Sequence, residues 1–274
     1  MDARLQRRVQ RYGWDKAAAH YEQYWGQQLE PAQALLLRFA ALRRGERVLD
    51  VACGTGLVTF RAAAAVGAEG AVTATDISEE MVQRVSELAT TRGVATVTAQ
   101  RMDAEEQRFP DAHFDVVLCA LGLMYVTDAG RTLSEMHRVL VPGGRVALAV
   151  WGARANCGWA EIFPIVERRV ASEVCPLFFQ SGTGDTLAWT LEHAGFSGVH
   201  AERITATLRY ESAEDACGAA FAGGPVALAY SRFDEATRDS AHAEYLASID
   251  AFRSGNGYRV PGEFVVAHGV KAAG

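Results

Sequence analysis

The chain reads as an α/β protein: a doubly wound, mostly parallel sheet of seven strands with a helical cap. Three observations point there. Residues 47–60, RVLDVACGTGLVTF, have the pattern of a buried strand, a glycine turn and the start of a helix. Short apolar or β-branched runs then alternate with helical stretches, giving further strands at 71–75, 94–100, 114–120 and within 139–151. Two later runs, 199–208 and 263–270, supply the sixth strand and the last.

The first strand organises the rest. Val48, Leu49 and Val51 form the apolar run expected of a strand buried on both faces of a parallel sheet, with Asp50 near its carboxyl end. Gly54 and Gly56 allow a tight turn and a close backbone approach, and the free amides at the start of the next helix face the same spot. In a doubly wound sheet, ligands bind in that crevice. A dinucleotide fingerprint places a third glycine at position 59, where this chain has Thr59. Asp76 stands at the end of the second strand, 22 residues after Gly54, close to the spacing at which a carboxylate meets ribose hydroxyls. The same carboxylate could instead cap the next helix. That helix is marked by Ser78 as its cap, by Glu79 and Glu80 at its positive end, and by Ile77 and Val82 at staple spacing.

An acidic residue at the strand end followed by C-G-T-G resembles motif I of the class I S-adenosylmethionine (SAM)-dependent methyltransferases. SAM carries a carboxylate, an ammonium and a sulfonium but no phosphate, which suits an acidic group beside the turn. Asp103, just past the third strand, matches the family's acidic residue that meets the adenine amine. The strand at 114–120 is analogous to motif II, with Ala120 and Leu121 falling beside the transferred methyl, and VLVPGGRVALAVW at 139–151 is similar to motif III. The resemblance implies that Asp50, Ala52, Gly54, Gly56, Asp76, Ile77, Met81, Asp103, Ala104 and Ala120 hold SAM and its product S-adenosylhomocysteine. It covers roughly residues 31–152 and is closest to the ubiquinone/menaquinone-biosynthesis type and its natural-product relatives. In that fold the last strand pairs antiparallel next to the sixth. One departure stands out: position 52 is Ala where many members have Gly.

The flanks are read as a lid and a cap. Residues 1–30 form an N-terminal helical lid, with an aromatic-rich helix over 12–29 that either packs onto the body or covers the ligand. Arg4, Arg7, Arg8 and Arg11, at helical spacing, read as a solvated face. Pro31 opens the next helix and Gly45 stops it. Residues 31–152 form the SAM-binding core, in which Asp128 caps a helix whose apolar positions are Leu133, Met136 and Leu140. Residues 153–274 complete the sheet and carry substrate-cap insertions at about 153–182, with a helical stretch over 159–174, and at about 212–258, broken at Gly223-Gly224-Pro225.

The implied reaction is in-line transfer of a methyl group to a small molecule, aromatic, quinone-like or natural-product in type, at a carbon or oxygen nucleophile. Alternatives are a nicotinamide-dependent oxidoreductase and a non-catalytic SAM-binding regulatory domain. Candidate catalytic residues are His20, Tyr21 and Tyr125; His113 reads as a loop residue, His137 as structural, and His242 as an outside choice for a base. Five cysteines without a CxxC pair or Cys/His cluster point to reduced thiols and no metal. The net charge of −6 argues against nucleic acid as the main partner, and the longest apolar run, 116–126, is too short to span a bilayer. A cytoplasmic protein is expected, with a homodimer as one open assembly.

Overall fold

The structure, a computed structural model, describes residues 3–170 and 178–273. Five strands pair in parallel: β1 (Arg47–Val51), β2 (Ala71–Asp76), β3 (Val97–Arg101), β4 (Phe114–Ala120) and β5 (Leu140–Trp151). The long strands β6 (Phe196–Tyr210) and β8 (Gly257–Lys271) extend the sheet on the β5 side, with β8 antiparallel to both neighbours. The order is β3-β2-β1-β4-β5-β8-β6, and the two-residue β7 (Arg253–Ser254) folds back on β8 as a hairpin. Seven strands thus carry the sheet, and the order reverses direction at β1, so the ends of β1 and β4 flank the crevice that such a switch opens.

Each strand forms where the sequence offers residues that tolerate burial on both faces. Val48, Leu49, Val116, Val117, Leu118, Val146 and Leu148 are fully buried. The helices α2 (Glu30–Ala40), α3 (Thr59–Val66), α4 (Glu79–Thr91) and α5 (Ala129–Val139) connect or cover these strands. Ser78 caps α4, accepting from the Met81 amide at 3.2 Å, and Asp128 caps α5, accepting from the Arg131 amide at 2.9 Å. Two boundaries shift from expectation. α2 ends at Ala40 because Ala41 takes the left-handed position with φ 44, before Gly45 is reached. Leu140 belongs to β5, which begins directly where α5 stops.

The N-terminal helix differs more. α1 runs from Ala3 to Trp25, so it takes in the arginine-rich start and ends short of residue 29. It packs on α4 and on the cap, which comprises α8 (Ala213–Cys217), a π-helical turn (Gly218–Ala222), α9 (Ala227–Tyr230) and α10 (Glu235–Ser248). The expected solvated arginine face is interrupted at Arg7, which pairs with Asp103 at 2.9 Å and Glu105 at 2.5 Å. In the other insertion, the described part of the helix expected over 159–174 contains α6 (Ile162–Glu167); residues 171–174 lie outside the described residues, as does Cys175. Helix α7 (Thr186–His193) leads back to β6.

Candidate active site

The site begins at the end of β1, where three of the next five residues are left-handed: Ala52 (φ 55), Gly54 (φ 55) and Gly56 (φ 89). Glycine adopts this freely, whereas alanine is strained in it. At Gly56 the space is also taken, since a Cβ would meet the Phe60 ring at 2.9 Å. The end of β4 mirrors this turn: Leu121 is left-handed (φ 64), and a Cβ on Gly122 would overlap Ala52 Cβ. The two strand ends therefore fit together only because one partner has no side chain.

Two carboxylates sit beneath the turn. Asp50 is 1% exposed and its Oδ2 accepts from Thr59 Oγ1 at 2.6 Å, so the residue that replaces the third glycine of a dinucleotide fingerprint orients the acid. Asp50 Oδ1 is buried with no hydrogen-bond partner. Burial pushes the Asp50 carboxyl up to about 7; the Thr59 bond opposes this and the nearby Asp76 charge reinforces it. Asp76 accepts from the Gly54 amide and from the Ser78 amide, both at 2.9 Å. Its pKa is pushed up to about 6, again chiefly by burial, with those amides opposing. Tyr21 lies alongside, its phenol raised first by burial and then by the Asp76 charge.

A buried carboxylate oxygen lacking a donor is costly unless a ligand supplies one. The ammonium of SAM is such a donor, and the polar crevice around Asp50, lined also by Gln33, Ala52, Gly54 and Tyr21, is where it would be held. A pyrophosphate fits poorly: Arg7 is the only basic side chain lining the main cleft among the described residues, and it is paired with Asp103 and Glu105.

That cleft holds about 980 Å³ of free space, its open mouth included. Ala52, Gly54, Asp76, Ile77, Met81, Asp103, Ala104 and Ala120 line it, as do Tyr21 and Tyr125. Asp50 lines the adjoining crevice, while Gly56 lines neither and shapes the turn from behind. Asp103 is less free than expected, because its Oδ1 accepts from the Glu105 amide at 2.9 Å and its Oδ2 pairs with Arg7. Glu105 in turn accepts from the Thr127 amide and hydroxyl, at 2.7 and 2.5 Å.

His20 stands apart from the other two catalytic candidates. It is exposed and does not line the cleft. Successive residues of a helix point about 100° apart, so the phase that turns Tyr21 inward turns His20 out. His242 and His113 also lie elsewhere: His242 Nε2 is 3.0 Å from Tyr230 Oη in a separate cavity of the cap, and the His113 ring packs edge-on against Phe114.

Several lining residues escape a reading of the motifs. Arg7, Gln10, Trp14 and Trp25 come, like the candidate Tyr21, from α1, at the spacing of one helical stripe, and that periodicity was the available signal. Trp151, Trp159, Gly224 and Pro225 close the other side. No local pattern marks them.

Residues 48–144 match the family described as methyltransferase domain. The chain is 43% identical over 108 residues to the ubiquinone/menaquinone biosynthesis C-methyltransferase UbiE of Psychromonas ingrahamii, covering 39% of this chain and 43% of that protein. It is 33% identical over 134 residues to the aklanonic acid methyltransferase DauC of a Streptomyces species, covering 49% of this chain and 61% of that protein. The chain thus spans about half the length of the curated relatives it matches. Among solved structures, phosphoethanolamine N-methyltransferase 2 of Haemonchus contortus in complex with SAM superposes with a TM-score of 0.60 at 18% identity, covering 94% of this chain and 57% of that one. Residues 48–144 are thus similar to a methyltransferase domain, and the chain shares its overall fold with that solved structure.

Proposed function

We propose that this protein transfers a methyl group from SAM to a small-molecule acceptor, aromatic, quinone-like or natural-product in type, at a carbon or oxygen nucleophile. The observation that carries this reading is the unpartnered Oδ1 of Asp50 beneath a left-handed turn, in a crevice adjoining a larger cleft with aromatic walls. When bound, SAM supplies a methyl group already activated by its sulfonium. Asp50 holds the ammonium, Asp76 accepts from the ribose hydroxyls, and Asp103 faces the adenine amine once Arg7 shares it. Ile77, Met81, Ala104 and Ala120 form the walls around the ligand. Holding acceptor and methyl in line can contribute on the order of 7–11 kcal/mol, so orientation is the main task of the cleft. Tyr21 and Tyr125 remain the candidates that touch the reacting groups.

The relatives' names refer to ubiquinone, menaquinone and aklanonic acid, and the aromatic lining of this cleft supports an acceptor of that general kind. Four cysteines (Cys53, Cys119, Cys157 and Cys217) are free and buried, which supports a reducing, cytoplasmic setting. Among the described residues no helix is long and apolar enough to cross a membrane. Calorimetric titration with S-adenosylhomocysteine, with NAD as control and repeated on Asp76→Ala, tests the proposal. Binding of the homocysteine compound alone, lost in the variant, is the expected result; binding of NAD instead, or of neither, would overturn it.

A further inference from the structure

Strand β6 forms one edge of the sheet, paired with β8 on one side and with no strand on the other. Its neighbour decides which of its residues turn their main-chain groups outward. In β8, Glu263 O accepts from Gly152 N at 2.6 Å and Pro261 O from Gly158 N at 2.9 Å, so both residues face away from β6. Their ladder partners, Thr205 and Thr207, therefore face away from β8, and the alternation of an antiparallel pair extends this to Ala201, Arg203 and Arg209. Arg209 already has its partner. Its N–H donates to Gln28 Oε1 at 2.8 Å, and its carbonyl accepts from Gln28 Nε2 at 2.5 Å, so the glutamine amide stands in for a neighbouring strand. Among the described residues nothing does the same for Ala201, Arg203, Thr205 and Thr207.

Exposed strand edges are ordinarily blunted by lysine, proline, a bulge or a cover. Here the bulge between Ser197 and His200 and the Gln28 cap at Arg209 bound the open stretch, and inside it no such device occurs. Arg203 is committed to a face of the sheet, where its Nη1 donates to Glu263 Oε1 at 2.6 Å, and Glu202 pairs with Arg38 at 3.6 Å. Residues 204–208, ITATL, carry no charge. The stretch is also complementary to itself. We propose that this edge is a homodimer interface, in which β6 of a second copy adds antiparallel about a two-fold axis at Ile204. That register pairs Ala201 with Thr207 and Arg203 with Thr205 across the axis in both directions, so every outward N–H and C=O of the four residues is used. Ile204 meets its own copy on the axis, and no like charges stand opposite one another. The position opposite the capped Arg209 is 199, within the bulge, so the pairing reaches both limits of the open stretch together. This interface does not depend on the methyl-transfer reading.

Sedimentation equilibrium and residue-resolved hydrogen exchange by NMR, each run over protein concentrations up to about 100 µM, test it. The expected species has twice the 29.6 kDa mass of the chain. The amides of Ala201, Arg203, Thr205 and Thr207 should gain protection as it forms, whereas those of Glu202, Ile204 and Ala206, bonded to β8, should be protected in monomer and dimer alike. Thr205→Pro removes an outward N–H that β8 does not use, and symmetry removes the bond twice, so the dimer should weaken at least about tenfold. Ile204→Lys sets two ammonium groups side by side on the axis and should give a monomer. Both variants should keep the wild-type circular dichroism. A monomer throughout that concentration range, or a dimer whose four outward amides exchange as fast as in the monomer, would overturn the proposal. These are readouts of the wild type, so they decide it even where a variant fails to fold.

Discussion

Thr59 Oγ1 donates to Asp50 Oδ2 at 2.6 Å, across nine residues of chain and with both residues buried. A third glycine at 59 would place no hydroxyl there, and the acid would stand unpartnered at both oxygens. The bond holds Asp50 with its other oxygen available, and it lowers a carboxyl that burial otherwise drives upward. Replacing Thr59 by the near-isosteric valine should therefore weaken S-adenosylhomocysteine binding at pH 7 by about tenfold, since hydrogen bonds to charged groups contribute about 1.5–3 kcal/mol. Part of the loss should return at pH 8.5. Calorimetry at the two pH values measures both effects.

The pH dependence of the ligand-free protein follows from the same acids. Asp50 is held up to about 7 and Asp76 to about 6, both above the ordinary carboxylate range, so the folded protein keeps protons that the unfolded chain has released. Their contribution to stability is full below about pH 4 and is lost as pH rises towards 7. Asp50→Asn should accordingly be more stable than the wild type at pH 8, with the gain shrinking towards pH 5, while S-adenosylhomocysteine binding is lost. Chemical denaturation across that pH range would show it. A variant less stable at pH 8 would contradict the burial argument.

Ala52 and Gly122 should behave as a coupled pair. Ala52→Gly relieves a left-handed alanine, worth about 1–2 kcal/mol, against the greater unfolded-state freedom of glycine, about 0.4–1 kcal/mol, so a small net stabilisation is expected. Gly122→Ala forces its new methyl into Ala52 Cβ and towards Cys119 Sγ, and should destabilise the fold. Combining the two should recover part of the loss, giving a positive coupling in a double-mutant cycle.

Arg7 ties α1 to the loop after β3 through Asp103 and Glu105, and the Asp15 carboxylate adds a second tie by accepting from Ser78 Oγ at 2.6 Å. Arg7→Met keeps much of the aliphatic stem and removes the charge. Stopped-flow measurement should give faster association and dissociation of S-adenosylhomocysteine, and limited proteolysis should cut α1 sooner. Because the Arg7 side chain is about a third exposed, the change in global stability should be small.

His20→Ala should leave turnover and S-adenosylhomocysteine affinity near wild type, because the side chain points to solvent on the far side of the helix phase that brings Tyr21 into the cleft. A large fall in turnover would mean that α1 rotates or re-registers when the acceptor binds.

The sequence by itself determined the strand–turn–helix order, the acids at the ends of β1 and β2, the caps Ser78 and Asp128, and the turn at Gly54 and Gly56. Each rests on residues within a few positions of one another, where backbone sterics, periodicity and capping act. Only the tertiary structure decided which face of α1 covers the cleft, that Arg7 engages Glu105 at a separation of 98 residues, and that Trp25 meets Ala219 across 194. It also decided that Trp151 and Trp159 share one aromatic cluster and that His20 stands outside the site. Such pairings depend on how helices and strands pack once they have formed. The pattern of one helix states its own stripe but not what that stripe will meet, which is why the acids and turns at the ends of β1 and β2 were legible in the chain and the aromatic wall at the end of β5 was not.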